Sequence, residues 1–449
     1  MAATTAQANG GEASGEASGE PSAHRRPGRR RVLIGCGVAL ALVCGVPAAF
    51  FAAGRVPGDS MDVAWQTPAD VRAIDAGDQG RRADGDGSWL VGDTLVRSGF
   101  NGAAGQDAGT GRRVWEYRSP GNAKLCAADA DVDSAVLVVT RDDENRPPSA
   151  KKDLCTVVAG VDMRTGRELW RTSAPAAPTE VISYAFRRPA VHAGGGLAVL
   201  AHQALRAFDV RTGAPRWTAA LPAGCAVAHA RPAARHVGAL LGCGGTGRKE
   251  PDGFSRDAEL HAAAFDPATG RLLWDASLGD REPVTWTGGN VFLMSADPVI
   301  VANSEAAYSF SDDGRPNPPV EGSLGDRSIA VTAGTTLFTS IVTGGGGTTR
   351  HKSPYRESVL AIELTTGRLL WRADVDVDIA AFHLRDGRLT VVGERRPLAL
   401  YAASQLHLLD AATGRELDER RFHYGEFPAG NAFAHKDLLI IGGTAYRRT

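Results

Sequence analysis

Two stretches of this 449-residue chain concentrate groups that could do chemistry. Asp129-Ala-Asp131-Val-Asp133-Ser134 sets three carboxylates at alternate positions, the clustered hard oxygen that calcium takes. A helix–loop–helix calcium loop would want Gly at its sixth position and Glu at its twelfth, and here those are Ser134 and Thr140. The stretch therefore reads as a solvated turn between two strands. Asp374, Asp376 and Asp378 alternate likewise and read as an acidic stripe on one face of a strand. The six cysteines are Cys36, Cys44, Cys126, Cys155, Cys225 and Cys243, with no adjacent pair. Eleven histidines are scattered without metal-ligand spacing. No nucleophile elbow, phosphate loop or dinucleotide fingerprint appears, and the glycines at 344–347 read as a flexible connection. The expectation is no catalytic residue, no cofactor, no metal ion, and a protein that is not an enzyme.

Charge adds an exclusion. Fifty basic and fifty-one acidic residues give a net charge of −1, so no electrostatic case for nucleic acid exists.

The elements that must carry these groups are set by a repeated phrase. It reads DAGTGRRVW from Asp107, DMRTGRELW from Asp162, DVRTGAPRW from Asp209, DPATGRLLW from Asp266, ELTTGRLLW from Glu363 and DAATGRELD from Asp410. Successive first positions lie 55, 47, 57, 97 and 47 residues apart, and the 97 holds a degenerate copy, AYSFSDDGRPN, at 307–317. Recurrence at about fifty residues marks a repeat architecture. An alternating apolar run such as LHLLD precedes each phrase and reads as a strand. In D-x-x-T-G the Asp can bond backbone amides two residues on, and Gly111, Gly166, Gly213, Gly270, Gly367 and Gly414 take the positive-φ position. The residues after the glycine start the returning strand. Further strands are expected at 136–140, 197–201, 237–242, 336–343 and 389–394. Four short strands per fifty residues describe a propeller blade.

Seven units span 107–418, and the thirty-one residues after Asp418 supply about three more strands, LLIIGG the clearest. MDVAWQTPADV at 61–71 offers an unattached strand with Trp65. Pairing it into the last blade completes an eighth unit and removes two exposed edges. The expected fold is an all-β, eight-bladed propeller over 61–449, seven full units plus one composite blade; a seven-bladed ring is the alternative.

The first sixty residues stand apart. Residues 1–31 form a polar tail ending in Arg25, Arg26, Arg29, Arg30 and Arg31, and the tail is too poor in apolar side chains to fold. Residues 32–53, VLIGCGVALALVCGVPAAFFAA, carry no charge and as a helix reach roughly 33 Å, enough to cross a bilayer. The arginines before the span place the tail in the cytoplasm and the propeller outside it, after a linker at 54–60. A cleaved export signal and a lipid anchor at Cys36 or Cys44 are the alternatives.

At this point the residues carry a resemblance. The phrase resembles the tryptophan-docking repeat of the quinoprotein-like β-propeller superfamily over nearly all of 61–449. It implies that Trp65, Trp115, Trp170, Trp217, Trp274 and Trp371 each pack against the turn glycine of a neighbouring blade. It also raises a dehydrogenase using pyrroloquinoline quinone and calcium, whose members carry an adjacent Cys-Cys pair that this chain lacks. The chain is similar in repeat type to the propeller lipoprotein of bacterial outer-membrane assembly, and to propeller sensors joined to kinases through one membrane helix. What these imply is a cell-membrane protein, single-pass, with an extracytoplasmic propeller binding another protein at a loop face or a ligand. A quinone-dependent enzyme or small-ligand sensor is the alternative.

The four exported cysteines follow from the repeat. Cys126 and Cys225 fall on the first strands of their units, and Cys155 and Cys243 come later in the same units. Same-blade placement in an oxidising compartment favours Cys126–Cys155 and Cys225–Cys243 over the other pairings, with buried free thiols as the alternative. Cys36 and Cys44 are expected to stay reduced within the membrane.

Overall fold

A computed structural model describes residues 59–67, 87–143, 155–173, 190–201, 204–244, 258–280, 291–302, 306–321, 330–344, 356–375, 377–398, 401–422, 432–441 and 443–447. The tail, the apolar run at 32–53, Cys36, Cys44, Asp376 and glycines 345–347 lie outside the described residues. Among the described residues no helix is long and apolar enough to cross a membrane.

Eight separate β-sheets make eight blades. Blade 1 consists of Gly87–Val91, Thr94–Ser98, Gly102–Asp107 and Arg113–Arg118, each strand antiparallel to the last. Blades 2 to 7 span 125–173, 190–218, 225–280, 292–321, 330–375 and 378–422 with the same order. Blade 8 takes Ala432–His435, Leu438–Ile441 and Thr444–Arg447 from one end of the sequence and Val63–Gln66 from the other. In it Trp65 stands opposite Ala445 and Gln66 opposite Thr444. The ring thus has eight blades and closes through a composite one. First strands of neighbouring blades contact one another, which puts them innermost.

Central strands such as Val136–Arg141 and Leu197–Ala201 are buried along their whole length because both faces are covered by neighbouring blades. That is why these segments read as continuous apolar runs while outer strands alternate. Blade 7 carries a fifth strand, Asp59–Ser60, paired parallel to the outer strand Glu416–Phe422. Blade 5, built on the degenerate copy, has an outer strand of only two residues, Val320–Glu321.

Candidate functional site

The repeated phrase builds one joint many times. In the turn of blade 1 the Asp107 carboxylate accepts hydrogen bonds from the Thr110 amide (2.8 Å) and hydroxyl (2.7 Å), and the Gly111 amide reaches the Asp107 carbonyl at 2.7 Å. The Thr110 hydroxyl, followed by burial working the other way, leaves that carboxyl below its usual range. Thr212, Thr269 and Thr413 serve Asp209, Asp266 and Asp410 in the same way. Gly111 has φ 71°, and a Cβ there would meet the Trp65 ring at 2.5 Å. The glycine is therefore required twice, by the backbone and by the indole resting on it.

Five of the six docked indoles also donate to the carbonyl that follows the turn Asp. Trp65 reaches Ala108 at 3.1 Å, Trp115 reaches Met163 at 3.0 Å, and Trp170 reaches Val210 at 2.8 Å. Trp217 reaches Pro267 at 2.9 Å and Trp371 reaches Ala411 at 3.0 Å. Trp65, Trp115, Trp170 and Trp371 are buried, and Trp217 and Trp274 are half-buried. Trp274 lies over Gly314 and 5.5 Å from Phe310, but its buried indole N–H has no hydrogen-bond partner among the described residues. Its turn is the degenerate one, where Ser311 replaces the usual acid. In the next joint Gly367 meets Pro318 instead of an indole, and the Ser309 hydroxyl reaches the Leu364 carbonyl at 3.4 Å.

Both disulfides lie within single blades. Cys126–Cys155 spans 6.1 Å between Cα atoms and Cys225–Cys243 spans 3.9 Å. The second pair stands directly opposite on the first two strands of blade 4, a register that only the folded sheet displays.

The acidic stretches are placed differently from their sequence reading. Asp131 is buried, not solvated, and accepts from the Ser134 amide (3.1 Å), the Ser134 hydroxyl (3.0 Å) and the Gly196 amide of blade 3 (2.8 Å). Three hydrogen bonds from the chain itself thus engage this carboxylate. Asp374 and Asp378 do not share a strand: one is on the outer strand of blade 6, the other opens blade 7.

The inner strands hold the polar arc that could contact a ligand, and sequence reasoning missed it. Asp129 accepts from the Ala193 amide at 3.2 Å and lies 3.0 Å from His192 Nδ1. An Nδ1 proton on His192 would point at that carboxylate. His229 follows on blade 4, where burial first, then His192 and Arg231, push its pKa down to about 4. The arc can orient an imidazole and accept a hydrogen bond. The one foreshadowing in the sequence is the alternation of Asp129 with Asp131; His192 and His229 sit 63 and 100 residues on.

A family model described as outer membrane protein assembly factor BamB matches residues 62–237 and 256–422. No curated protein matches the chain in sequence. Among solved structures, BamB from Moraxella catarrhalis is similar at 16% identity and TM-score 0.47, covering 82% of this chain and 98% of that one. Quinohemoprotein alcohol dehydrogenase from Comamonas testosteroni is similar at 11% identity and TM-score 0.49, covering 86% and 76%. A europium-containing methanol dehydrogenase follows at 12% identity and TM-score 0.48, covering 86% and 85%.

Proposed function

Because the chain belongs to the family described as outer membrane protein assembly factor BamB, we propose that its propeller is a protein-interaction scaffold. In this reading residues 32–53 anchor it in the cell membrane, and the propeller lies outside the cytoplasm. One observation carries the proposal: the outer edge of blade 7 already accepts an added strand, Asp59–Ser60. Outer strands expose unpaired backbone groups, which is how propellers and other sheets take up a partner's strand. They also carry exposed apolar side chains just after the turn: Val114, Leu273, Leu370 and Leu417 are 37–47% exposed. Each precedes the docked position, so alternation turns it outward.

Quinone chemistry fits this chain poorly. The adjacent cysteine pair is missing from the sequence, and the four ectodomain cysteines are used in two disulfides far apart in sequence. We derive no catalytic step through that cofactor.

The test is photo-crosslinking in intact cells from residues 114, 273 and 370 and from inner-strand residues 192 and 229. Partner adducts from the outer set alone support the scaffold. Adducts from the inner set alone, or bound quinone after titration with quinone and calcium, would sink it. For topology, a reporter active only outside the cytoplasm and fused after Thr449 is expected to be active.

A further inference from the structure

Among the described residues, seven of the eight joints are filled at the level of the turn glycine by an indole or by a proline and serine in its place; the joint between blades 7 and 8, packed elsewhere by Phe422 against Tyr446 with ring centroids 5.0 Å apart, has neither at that level. A row of residues crosses each blade at the level of the docked Trp. In blade 6 it runs Trp371, Ala361, Phe338, Val331, and in blade 3 Trp217, Ala207, Val199, His192. In blade 7 the same row runs Asp418, Leu408, Thr390, His383. An acid stands where the indole belongs. The partner turn is missing as well, because the third and fourth strands of blade 8 come from distant parts of the sequence.

A cleft of about 600 Å³ occupies this joint. Its floor is apolar: Met61, Leu406, Leu408 and Leu439. Around the floor stand Arg385, Arg388, Arg420, Lys436 and Arg447, against only Asp386 and Asp418. Arg420 is bound to Asp418 at 2.8 Å, Arg385 lies 3.3 Å from Asp386, and Lys436 leans to Asp93 of blade 1 at 3.2 Å. Among the described residues the ion pairs do not include Arg388 or Arg447, both of them exposed.

We propose that this cleft binds a small organic anion with an aromatic body and a carboxylate, the body over the leucine floor and the carboxylate on Arg388 and Arg447. The size is that of a small-molecule site. An apolar floor with convergent guanidinium groups suits a carboxylate that can be held bidentately. The aromatic body follows from the fold, since this is the position that an indole fills at most other joints. The inference is independent of the scaffold reading, whose surface is the outer strand edges.

The test uses indole-3-acetate as the probe, with the full-length chain in phosphatidylcholine nanodiscs, followed by calorimetry. One-to-one binding is expected, weakened at least tenfold in Arg388→Glu/Arg447→Glu and retained in Arg388→Lys. Neutral indole and acetate are expected to bind at least tenfold more weakly than the joined molecule. Both variant positions are exposed, so unchanged melting separates lost binding from lost folding. Arg112→Glu, on the blade 1 turn, is expected to bind as the parent does. Absence of saturation below 10 mM, or equal affinity in the double variant, would overturn the proposal. Loss of protein crosslinks from residues 114, 273 and 370 would leave this result untouched.

Discussion

The indole of Trp65 donates a 3.1 Å hydrogen bond to the carbonyl of Ala108, and with it the fourth strand of blade 8 is locked onto blade 1. Because Val63–Gln66 is also paired with Thr444–Arg447, this contact ties the last strands of the sequence to the first blade. Trp65→Ala is expected to loosen the closure before it unfolds any other blade. Amide exchange would read this as faster exchange in Leu438–Ile441 and Thr444–Arg447 than in Val136–Arg141. Uniform acceleration across all blades would argue that the ring opens only as a whole.

The indole joints are expected to differ in what their N–H contributes. Trp115→Ala removes a buried aromatic and is expected to cost about 3–5 kcal/mol. Trp115→Phe keeps most of the packing but leaves the Met163 carbonyl without its donor, for about 1–3 kcal/mol. Trp274→Phe loses no hydrogen bond to the described residues, because that indole N–H has no partner among them, and is expected to cost less than Trp115→Phe. Denaturant midpoints of the two Phe variants check this, and equal losses would count against the assignment.

The disulfides are expected to yield to reductant in order. Cys126 and Cys155 are both buried, whereas Cys225 is half-exposed at the start of its strand. Mild thiol treatment of the native protein is therefore expected to free Cys225 and Cys243 first. Sequence separations of 29 and 18 residues correspond to roughly 3–4 kcal/mol each in a chain-entropy account. Timed alkylation and peptide mapping give the order, and earlier labelling of Cys126 would contradict it.

Stability is expected to fall as pH drops from about 6.5 to about 4. His229 has a folded pKa lowered to about 4 against an ordinary value of 6.5, chiefly through burial. Across that window the unfolded chain binds the extra proton, so unfolding gains as the solution is acidified. The contribution is at most ~3 kcal/mol at the acid end. His229→Gln is expected to flatten this part of the curve, measured by chemical denaturation at several pH values. An unchanged slope would place the titration elsewhere.

The joints around blade 5 and between blades 7 and 8 are expected to be the looser ones. The first has a two-residue outer strand and a Trp274 N–H without an acceptor among the described residues; the second has Asp418 where an indole would stand. Hydrogen exchange of Ala306–Ser309 and Leu438–Ile441 is expected to exceed that of Leu205–Asp209.

Much of this molecule is local chemistry repeated, and local chemistry is legible in a sequence. D-x-x-T-G writes its own hydrogen bonds within four residues, so turns, strand starts and the count of units followed from spacing alone. So did the expectation that Val63–Gln66 would complete the last blade, because the units left one strand missing. The polar arc of Asp129, His192 and His229 was not legible. Its members sit on different blades and are brought together only when the ring forms. The buried role of Asp131 depends in the same way on Gly196 of the next blade. The cleft between blades 7 and 8 needed both kinds of information. Asp418 in place of Trp is visible in the phrase, and Arg388 shares its blade, but Lys436 and Arg447 of blade 8 meet them only where that blade packs against blade 7. Sequence spacing fixes contacts within a blade; which side chains face each other across a joint is decided by packing.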